Sequence, residues 1–262
     1  MKKKLSILLI IILIGILFIN VYFYYNKTTV AIIGAMDCEI SEIYNNLKNT
    51  NINTNNNFNI SKGKINNYNI ILSKSGVGKT NAGITTQYII DKYKPKYIIN
   101  IGLAGGLDEK IKKGDIVIAD KLIQHDFDIS VFGYAKGYMS TGTEPNKPTI
   151  YYSNEDLINI FKEKLKKNNE FKNIYIETIA TGDCFVSNKK DKENIKKIFN
   201  AKAVDMESAA IAQTANKNNI PVLIIRNISD SLDSKVKDYE HDEEFYAKEL
   251  AKTIVNILQE KN

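Results

Sequence analysis

From Thr28 onward, short apolar runs alternate with longer amphipathic segments. The runs are rich in Ile and Val and are bounded by Gly, Asp, Asn or Pro, which is typical of buried strands. They cover residues 30–33, 68–72, 97–101, 115–119, 174–179 and 222–228. Apolar positions recur at helical spacing in residues 79–93, 154–167, 189–199, 208–218 and 243–261. The alternation predicts one α/β domain over residues 28–262, with a central, mixed, twisted sheet flanked by helices.

One polar tract interrupts this alternation. Residues 45–59 contain nine Asn in fifteen positions. A tract of this composition is typical of a solvated excursion from the fold. We therefore expect it to carry no function.

The N-terminal segment has a different character. Residues 5–25 contain no charged side chain, and at about 1.5 Å per residue a helix over them spans the ~30 Å core of a bilayer. Three lysines at positions 2–4 favour a cytoplasmic N-terminus. We therefore predict a signal anchor over residues 1–27, with the domain exported and held at the plasma membrane through residues 5–25. The alternatives are a cleaved signal peptide, which gives a secreted or periplasmic domain, and a buried first helix of a soluble fold.

Composition and charge exclude several classes of protein. With 44% hydrophobic and 25% charged residues, the chain is globular rather than fibrous or disordered. Its net charge is +6, but four lysines lie in the first 27 residues, which contain no acid. The rest of the chain is therefore nearly neutral, and we expect no nucleic-acid partner. Two cysteines and two histidines argue against a disulfide framework and a structural zinc site.

Two glycine-rich segments follow predicted strands. Residues 75–80 (SGVGKT) are similar to a P-loop, but Ser73 stands where that motif requires its first glycine. A tight turn from strand to helix explains these glycines better than a nucleotide site. Residues 102–106 (GLAGG) lack dinucleotide-binding spacing, yet glycines at the end of a strand allow a small ligand to approach the backbone.

Three acidic residues follow or end predicted strands: Glu39, Glu207 and Asp230. Burying an unpaired carboxylate beside a strand lowers the stability of the fold by roughly several kcal/mol. A carboxylate at such a position therefore favours a functional role. The alternative is an acid in the first turn of a helix, which is favourable by about 0.3–1 kcal/mol. Arg226 is the only arginine and lies in the most apolar strand. Its planar donor group suits a site that orients carboxylates, although a structural ion pair remains the alternative.

These segments together resemble the 5′-methylthioadenosine/S-adenosylhomocysteine nucleosidases of the nucleoside phosphorylase superfamily. The shared segments are GAMDCEI (34–40), KSGVGK (74–79), INIGLAGGL (99–107), GDIVIAD (114–120), FGY (132–134), TGDCFV (181–186), VDMESAA (204–210) and RNISD (226–230). They follow the order of the family through nearly all of residues 29–262. The resemblance implies a nucleoside phosphorylase-like fold, a homodimer and hydrolysis of adenine nucleoside thioethers without a metal or organic cofactor.

The resemblance also implies roles for individual residues. Glu39 is the expected general base that activates water, and Asp230 the general acid that protonates adenine N7. Cleavage of an N-ribosidic bond passes through an oxocarbenium-like sugar, and one acid and one base are the groups that such a reaction needs. The residues that the resemblance places around the substrate are Gly105 at the floor, Phe185 and Val186 at adenine, Met206, Glu207, Arg226 and Ser229 near the ribose, and Phe132 and Tyr134 from a second protomer.

One position departs from the family pattern. Leu103 stands where family members often carry a small or hydroxyl side chain, which puts the substrate range in doubt.

Two other functions remain as alternatives. A purine nucleoside phosphorylase needs an anion site, usually built with arginines, and a non-catalytic exported binding or adhesion protein could use the same fold.

Overall fold

Ten strands and six helices make up the part of the chain that the computed structural model describes, residues 28–53, 58–140, 144–168, 170–233 and 236–260. The strands are β1 (Thr29–Gly34), β2 (Lys48–Asn53), β3 (Asn59–Ile65), β4 (Tyr68–Lys74), β5 (Tyr97–Gly106), β6 (Ile116–Gln124), β7 (Tyr151–Tyr152), β8 (Ile174–Thr181), β9 (Ala203–Asp205) and β10 (Val222–Asp230). The helices are α1 (Asp37–Asn46), α2 (Lys79–Tyr93), α3 (Glu155–Asn168), α4 (Lys189–Phe199), α5 (Ser208–Lys217) and α6 (Val236–Gln259). All ten strands belong to one mixed sheet.

Strand β5 is the centre of this sheet because three strands pair with it. Strand β10 runs parallel to it on one side, and β1 runs parallel on the other side as far as Asn100. Strand β9 then pairs antiparallel with Gly105 and Gly106 on the side that β1 has left. Among the described strands, none pairs with residues 101–104 on that side. The backbone of β5 is therefore open to side chains or a ligand at this point, where the strands β1 and β10 end.

The other pairs close part of the sheet into a ring. Strand β10 pairs antiparallel with β6, β6 runs parallel to β8, and β8 runs parallel to β9, which returns to β5. Outside the ring, β4 runs parallel to β1, and β3 and β2 extend the sheet in antiparallel order. The two residues of β7 pair with β6.

Helices cover both faces of the sheet. Along β1, Ala31 and Ile33 pack into the hydrophobic layer that contains α2 and α5, whereas Val30 and Ile32 pack into the layer that contains α1, α3 and α6. A strand that is buried on both faces needs apolar residues at every position, which explains the continuous apolar runs in the sequence. The predicted α/β fold, with a mixed sheet between helices, is confirmed.

Residues 45, 46 and 48–51 of the polar tract are exposed, as expected, but part of the tract belongs to the sheet instead of leaving the fold. Residues Lys48–Asn53 form β2, at the edge of the sheet, and residues Asn59–Ile65 form β3 beside it. An edge strand pairs on one side only, so it forms without an apolar pattern. Asn49 has a positive φ of 55° at the register shift between Lys48 and Asn51, a conformation that Asn adopts more easily than most residues.

The prediction that this fold includes a membrane-spanning helix was wrong. Over the ranges given above, no helix is long and apolar enough to cross a membrane. Residues 5–25, where we predicted that helix, lie outside the described residues. The exported, membrane-anchored location and its secreted or periplasmic alternative depended on that helix and are corrected with it.

Candidate active site

A cavity opens beside residues 103–105 of β5, at the carboxyl ends of β1 and β10. Its walls come from the loops after β1, β4 and β8, from β5 itself, from the β9–α5 junction and from the end of β10. Eight of the predicted site residues line it: Glu39, Gly105, Phe185, Val186, Met206, Glu207, Ser229 and Asp230. The fold therefore gathers side chains that lie up to 191 positions apart in the sequence around one cavity.

Glu39 lies in the first turn of α1 and is 4% exposed. Its Oε2 accepts hydrogen bonds from the backbone N–H groups of Ala35, at 2.6 Å, and Met36, at 3.0 Å. Its Oε1 accepts from the N–H of Leu103, at 3.1 Å, on the open side of β5. Burial raises the pKa of Glu39, and the charge of Arg226 and these N–H groups oppose that rise. The carboxyl group is therefore fixed in position and has a stronger affinity for a proton than a solvated glutamate.

Glycine at position 102 is required by this arrangement. A Cβ atom at Gly102 would lie 2.5 Å from Glu39 Oε1 and 3.0 Å from its Cδ. Real Cβ atoms essentially never lie closer than 3.0 Å to another atom of this kind. The glycine thus gives Glu39 its place against β5.

Asp230 ends β10 at the other end of the cavity and is 6% exposed. A register shift separates it from Ile228, and a bulge of this kind changes the direction of a side chain. Its Oδ1 accepts a hydrogen bond from Ser229 Oγ at 3.2 Å, and its Oδ2 accepts one from Lys192 Nζ. A Cβ atom at Gly105 would lie 3.1 Å from both oxygens.

The two carboxyl groups lie at different ends of the cavity. Glu39 lies against Gly102 and Asp230 against Gly105, three residues further along β5. Three residues of extended strand span about 10 Å. This separation leaves room for a bound molecule between the two groups.

Glu207 precedes α5 and is the third carboxyl group of the cavity. Its Oε1 accepts a hydrogen bond from the N–H of Gly78, at 2.8 Å, in the glycine turn before α2. Burial, followed by the negative charge of Asp205, raises the pKa of Glu207 to about 7, against the opposing charge of Arg226. The SGVGKT segment therefore contributes a backbone donor to a carboxylate, and no phosphate loop is needed to explain it.

Arg226 lies behind the cavity wall rather than in it. The side chain is 1% exposed and does not line the cavity. Its Nε donates to Asp205 Oδ2 at 2.8 Å, and its Nη2 donates to Asn100 Oδ1 at 2.6 Å. Asp205 also accepts from Thr181 Oγ1 at 2.6 Å. Arg226 is thus held in a buried network, from which its charge acts on Glu39 and Glu207.

Phe132 and Tyr134 lie outside the residues that line the cavity. Phe132 is 75% exposed in the short 3₁₀ turn Ser130–Phe132, and its neighbour Val131 is 85% exposed. Tyr134 stacks on Tyr138, with ring centroids 4.9 Å apart. The role that we predicted for them, across a dimer interface, stays a prediction.

Sequence reasoning missed two buried residues of the site. Asp205 lies in the quoted segment VDMESAA, but its importance emerges only when β9 brings it against Arg226. Lys192 is fully buried and contacts Asp230. The sequence contained an indication that Lys192 is buried, because residues 192, 195 and 199 have helical spacing and share the buried face of α4. In the part of the chain that the structure describes, no three His, Cys, Asp or Glu side chains are arranged to hold a metal ion.

The fold and this cavity, with buried carboxyl groups at both ends, define a protein that binds a small molecule at the switch point of an α/β sheet. Residues 29–259 match the sequence profile of the phosphorylase superfamily, and the chain belongs to that family.

Curated relatives have a more specific name than the superfamily. The 5′-methylthioadenosine/S-adenosylhomocysteine nucleosidase of Buchnera aphidicola subsp. Baizongia pistaciae is 38% identical over 88% of this chain and 89% of its own length. The enzyme of the same name from Staphylococcus haemolyticus is 35% identical over 88% of this chain and 97% of its own.

A solved structure agrees with these relatives. The crystal structure of the Neisseria meningitidis nucleosidase in complex with methylthio-immucillin-A matches with a TM-score of 0.80 and 33% identity, over 88% of this chain and 99% of that one. The predicted membership of the nucleosidase family is confirmed.

Proposed function

We propose that this chain is an N-glycosyl hydrolase that cleaves the N-ribosidic bond of 5′-methylthioadenosine and S-adenosylhomocysteine. It releases adenine and the 5-thio-substituted ribose. Support comes from the relatives named for these two nucleosides and from the Neisseria meningitidis structure, which holds an adenine nucleoside analogue. The observation that carries the proposal is that two buried carboxyl groups, Glu39 and Asp230, line one cavity and lie against different residues of β5.

Asp230 acts as the general acid in this proposal. It gives its proton to N7 of adenine, and the electron pair of the C–N bond then leaves with the neutral base. Its position at the end of β10, with Ser229 donating to one oxygen, keeps the carboxyl group directed and shielded from water. Positioned proton transfer of this kind contributes on the order of 10²–10⁴-fold to the rate.

Glu39 acts as the general base. It removes a proton from water, whose oxygen bonds to the anomeric carbon of the oxocarbenium-like sugar. Three backbone N–H groups fix the carboxylate, and burial raises its pKa, which makes it a stronger base than a solvated glutamate. Glu39 and Asp230 lie against positions of β5 that are about 10 Å apart along the strand, which suits a water on one side of the sugar and adenine on the other.

The remaining cavity residues hold the two halves of the nucleoside. Glu207 accepts hydrogen bonds from the ribose hydroxyls while Met206 packs on the sugar. Phe185 stacks on adenine, and the backbone of Val186 reads its edge. Arg226 orders the carboxylates from behind through Asp205, at 2.8 Å.

A second copy of the chain completes the alkylthio end of the cavity. Phe132 and Val131 are 75% and 85% exposed, which is unusual for apolar side chains and favours a covered surface. Size-exclusion chromatography with light scattering should give a dimer, and Phe132→Ala should raise KM for 5′-methylthioadenosine by about tenfold, the cost of one lost apolar contact. A monomer with an unchanged KM would remove the second copy from the proposal.

Adenine release from 5′-methylthioadenosine by the purified protein tests the activity. Glu39→Gln and Asp230→Asn should each lose at least about 100-fold in kcat, because each removes one proton transfer. Near-normal turnover in either variant would defeat that residue's role. Absence of adenine from the wild-type reaction would favour a non-catalytic binding protein instead.

A phosphorylase is less compatible with the site. The chain has one arginine, and Arg226 is buried against Asp205. Glu39 lies where an attacking phosphate would approach, and the two negative charges would repel each other. Adenine release should therefore be the same with and without phosphate, whereas a strict requirement for phosphate would reverse the assignment.

A further inference from the structure

Helix α4 carries a fully buried lysine at a position where its pattern expects an apolar residue. Lys192 is 0% exposed and shares its face with Ile195 and Phe199. The neighbouring Lys189 and Lys197 are exposed, as charged residues on an amphipathic helix ordinarily are. A buried ammonium group is costly unless it is paired, so Lys192 needs a compensating interaction.

That interaction is with the proposed general acid. Lys192 Nζ donates to Asp230 Oδ2 and, at 2.8 Å, to the backbone oxygen of Ser231. The side chain of Asp230 is 8% exposed, so both charges lie away from water. Buried ion pairs of this type are often no more stabilising than apolar residues of the same volume. Stability alone therefore gives a weak reason for a lysine at this position.

We propose that Lys192 is a positioning residue for proton transfer from Asp230 to the substrate. The inference rests on the proposed function, in which Asp230 is the acid. The ammonium group of Lys192 binds Oδ2 of Asp230. Oδ1 of Asp230, beside Ser229, is left to contact adenine. When the proton passes from Oδ1 to adenine N7, the carboxylate that remains is stabilised by the ammonium group of Lys192.

Other charged groups surround this pair. Around the cavity they are Glu39 from α1, and Asp205 and Glu207 from the β9–α5 junction. On the outer side, the charges of Lys189, Lys112 and Lys192 all act on Asp233. A Lys192 variant leaves all of these other groups in place, so a lower kcat reports the loss of the pair itself.

The experiment compares Lys192→Met with Lys192→Arg and Lys189→Met in the full chain. Lys189 lies on the same helix, is exposed and pairs with Asp233 at 2.8 Å, so its variant removes the same charge without touching the cavity. The readouts are kcat and KM for 5′-methylthioadenosine, with circular dichroism to verify folding. If Lys192→Met does not fold, Lys192→Gln takes its place with the same expectations.

Lys192→Met should lower kcat by roughly 10–100-fold with little change in KM, since it removes one electrostatic contact of the transition state. Lys192→Arg should restore most of the lost kcat, and Lys189→Met should match the wild type. In an Asp230→Asn background, Lys192→Met should cost little more.

A folded Lys192→Met variant with normal kcat would overturn the inference. So would a full additional loss in the Asp230→Asn background, because Lys192 would then act independently of the acid. The proposed function is judged separately, by wild-type adenine release and its loss in Asp230→Asn. If those results hold while Lys192→Met behaves like Lys189→Met, only the role of Lys192 fails.

Discussion

The substitution Gly102→Ala should disable the general base, Glu39, without contacting the substrate. In Gly102→Ala, the new Cβ would lie 2.5 Å from Glu39 Oε1 and 3.3 Å from Arg226 Nη1. Ordinary contacts of a Cβ atom begin near 3.4 Å. Since β5 is held on its other side by β10, the Glu39 carboxyl group has to move, by roughly 1 Å, a displacement that can cost about 100-fold in rate.

The effect should appear in turnover more than in binding. Gly102 does not line the cavity, so we expect KM to stay within about threefold while kcat falls by roughly 10–100-fold. The displaced Oε1 also loses its hydrogen bond from the N–H of Leu103, at 3.1 Å. Together with the overpacking, this should lower the free energy of unfolding by about 1–3 kcal/mol.

Gly83→Ala is the matched control. Gly83 lies within α2, where a Cβ would meet nothing closer than Thr214 Oγ1 at 3.8 Å. This variant should keep normal turnover and gain up to about 1 kcal/mol of stability from the higher helix propensity of alanine. Initial rates of adenine release and urea unfolding measure both quantities. A Gly102→Ala variant that turns over within twofold of Gly83→Ala would refute the placement of Glu39 against β5.

Two further predictions concern one charge in the cavity, on Glu207, and one behind it, on Arg226. Because the pKa of Glu207 is raised from 4.5 to about 7, the folded protein binds an extra proton in that interval and loses stability as the pH rises through it. Urea unfolding at pH 5 and pH 7 should therefore show a smaller fall in the free energy of unfolding for Glu207→Gln than for the wild type, and an equal fall would contradict the buried position. Arg226→Met leaves Asp205 buried and unpaired and should destabilise the fold by about 3–5 kcal/mol. In contrast, Lys248→Met, which breaks an exposed pair with Glu244, should change stability by less than about 1 kcal/mol, and equal losses in the two variants would count against the buried network.

The apolar pattern was enough to predict six of the ten described strands, β1, β4, β5, β6, β8 and β10. Strands such as β5 and β10 are buried on both faces, so every position is constrained and the run stands out in the sequence. Strand β2 could not be found this way, because its edge position demands no apolar residue. The three residues of β9 are too few to show any period, although they close the ring around the cavity.

Part of the site could also be predicted from the sequence alone. Glu39 and Asp230 stood out because carboxylates beside buried strands are costly, and the structure places both on the same cavity. The partner of Arg226 could not be predicted, since Asp205 reaches it only through the pairing of β9 with β8. Lys192 required knowledge of which face of α4 is buried.

The central claim is that Asp230 and Glu39 act on opposite sides of one nucleoside. A crystal structure of this chain with methylthio-immucillin-A, the analogue held by the Neisseria meningitidis relative, tests it most directly. We predict a carboxyl oxygen of Asp230 at about 2.7–3.2 Å from the position of adenine N7, and Glu39 at a similar distance from a water next to the anomeric carbon. An analogue bound with either carboxyl group remote from these atoms would contradict the proposed mechanism.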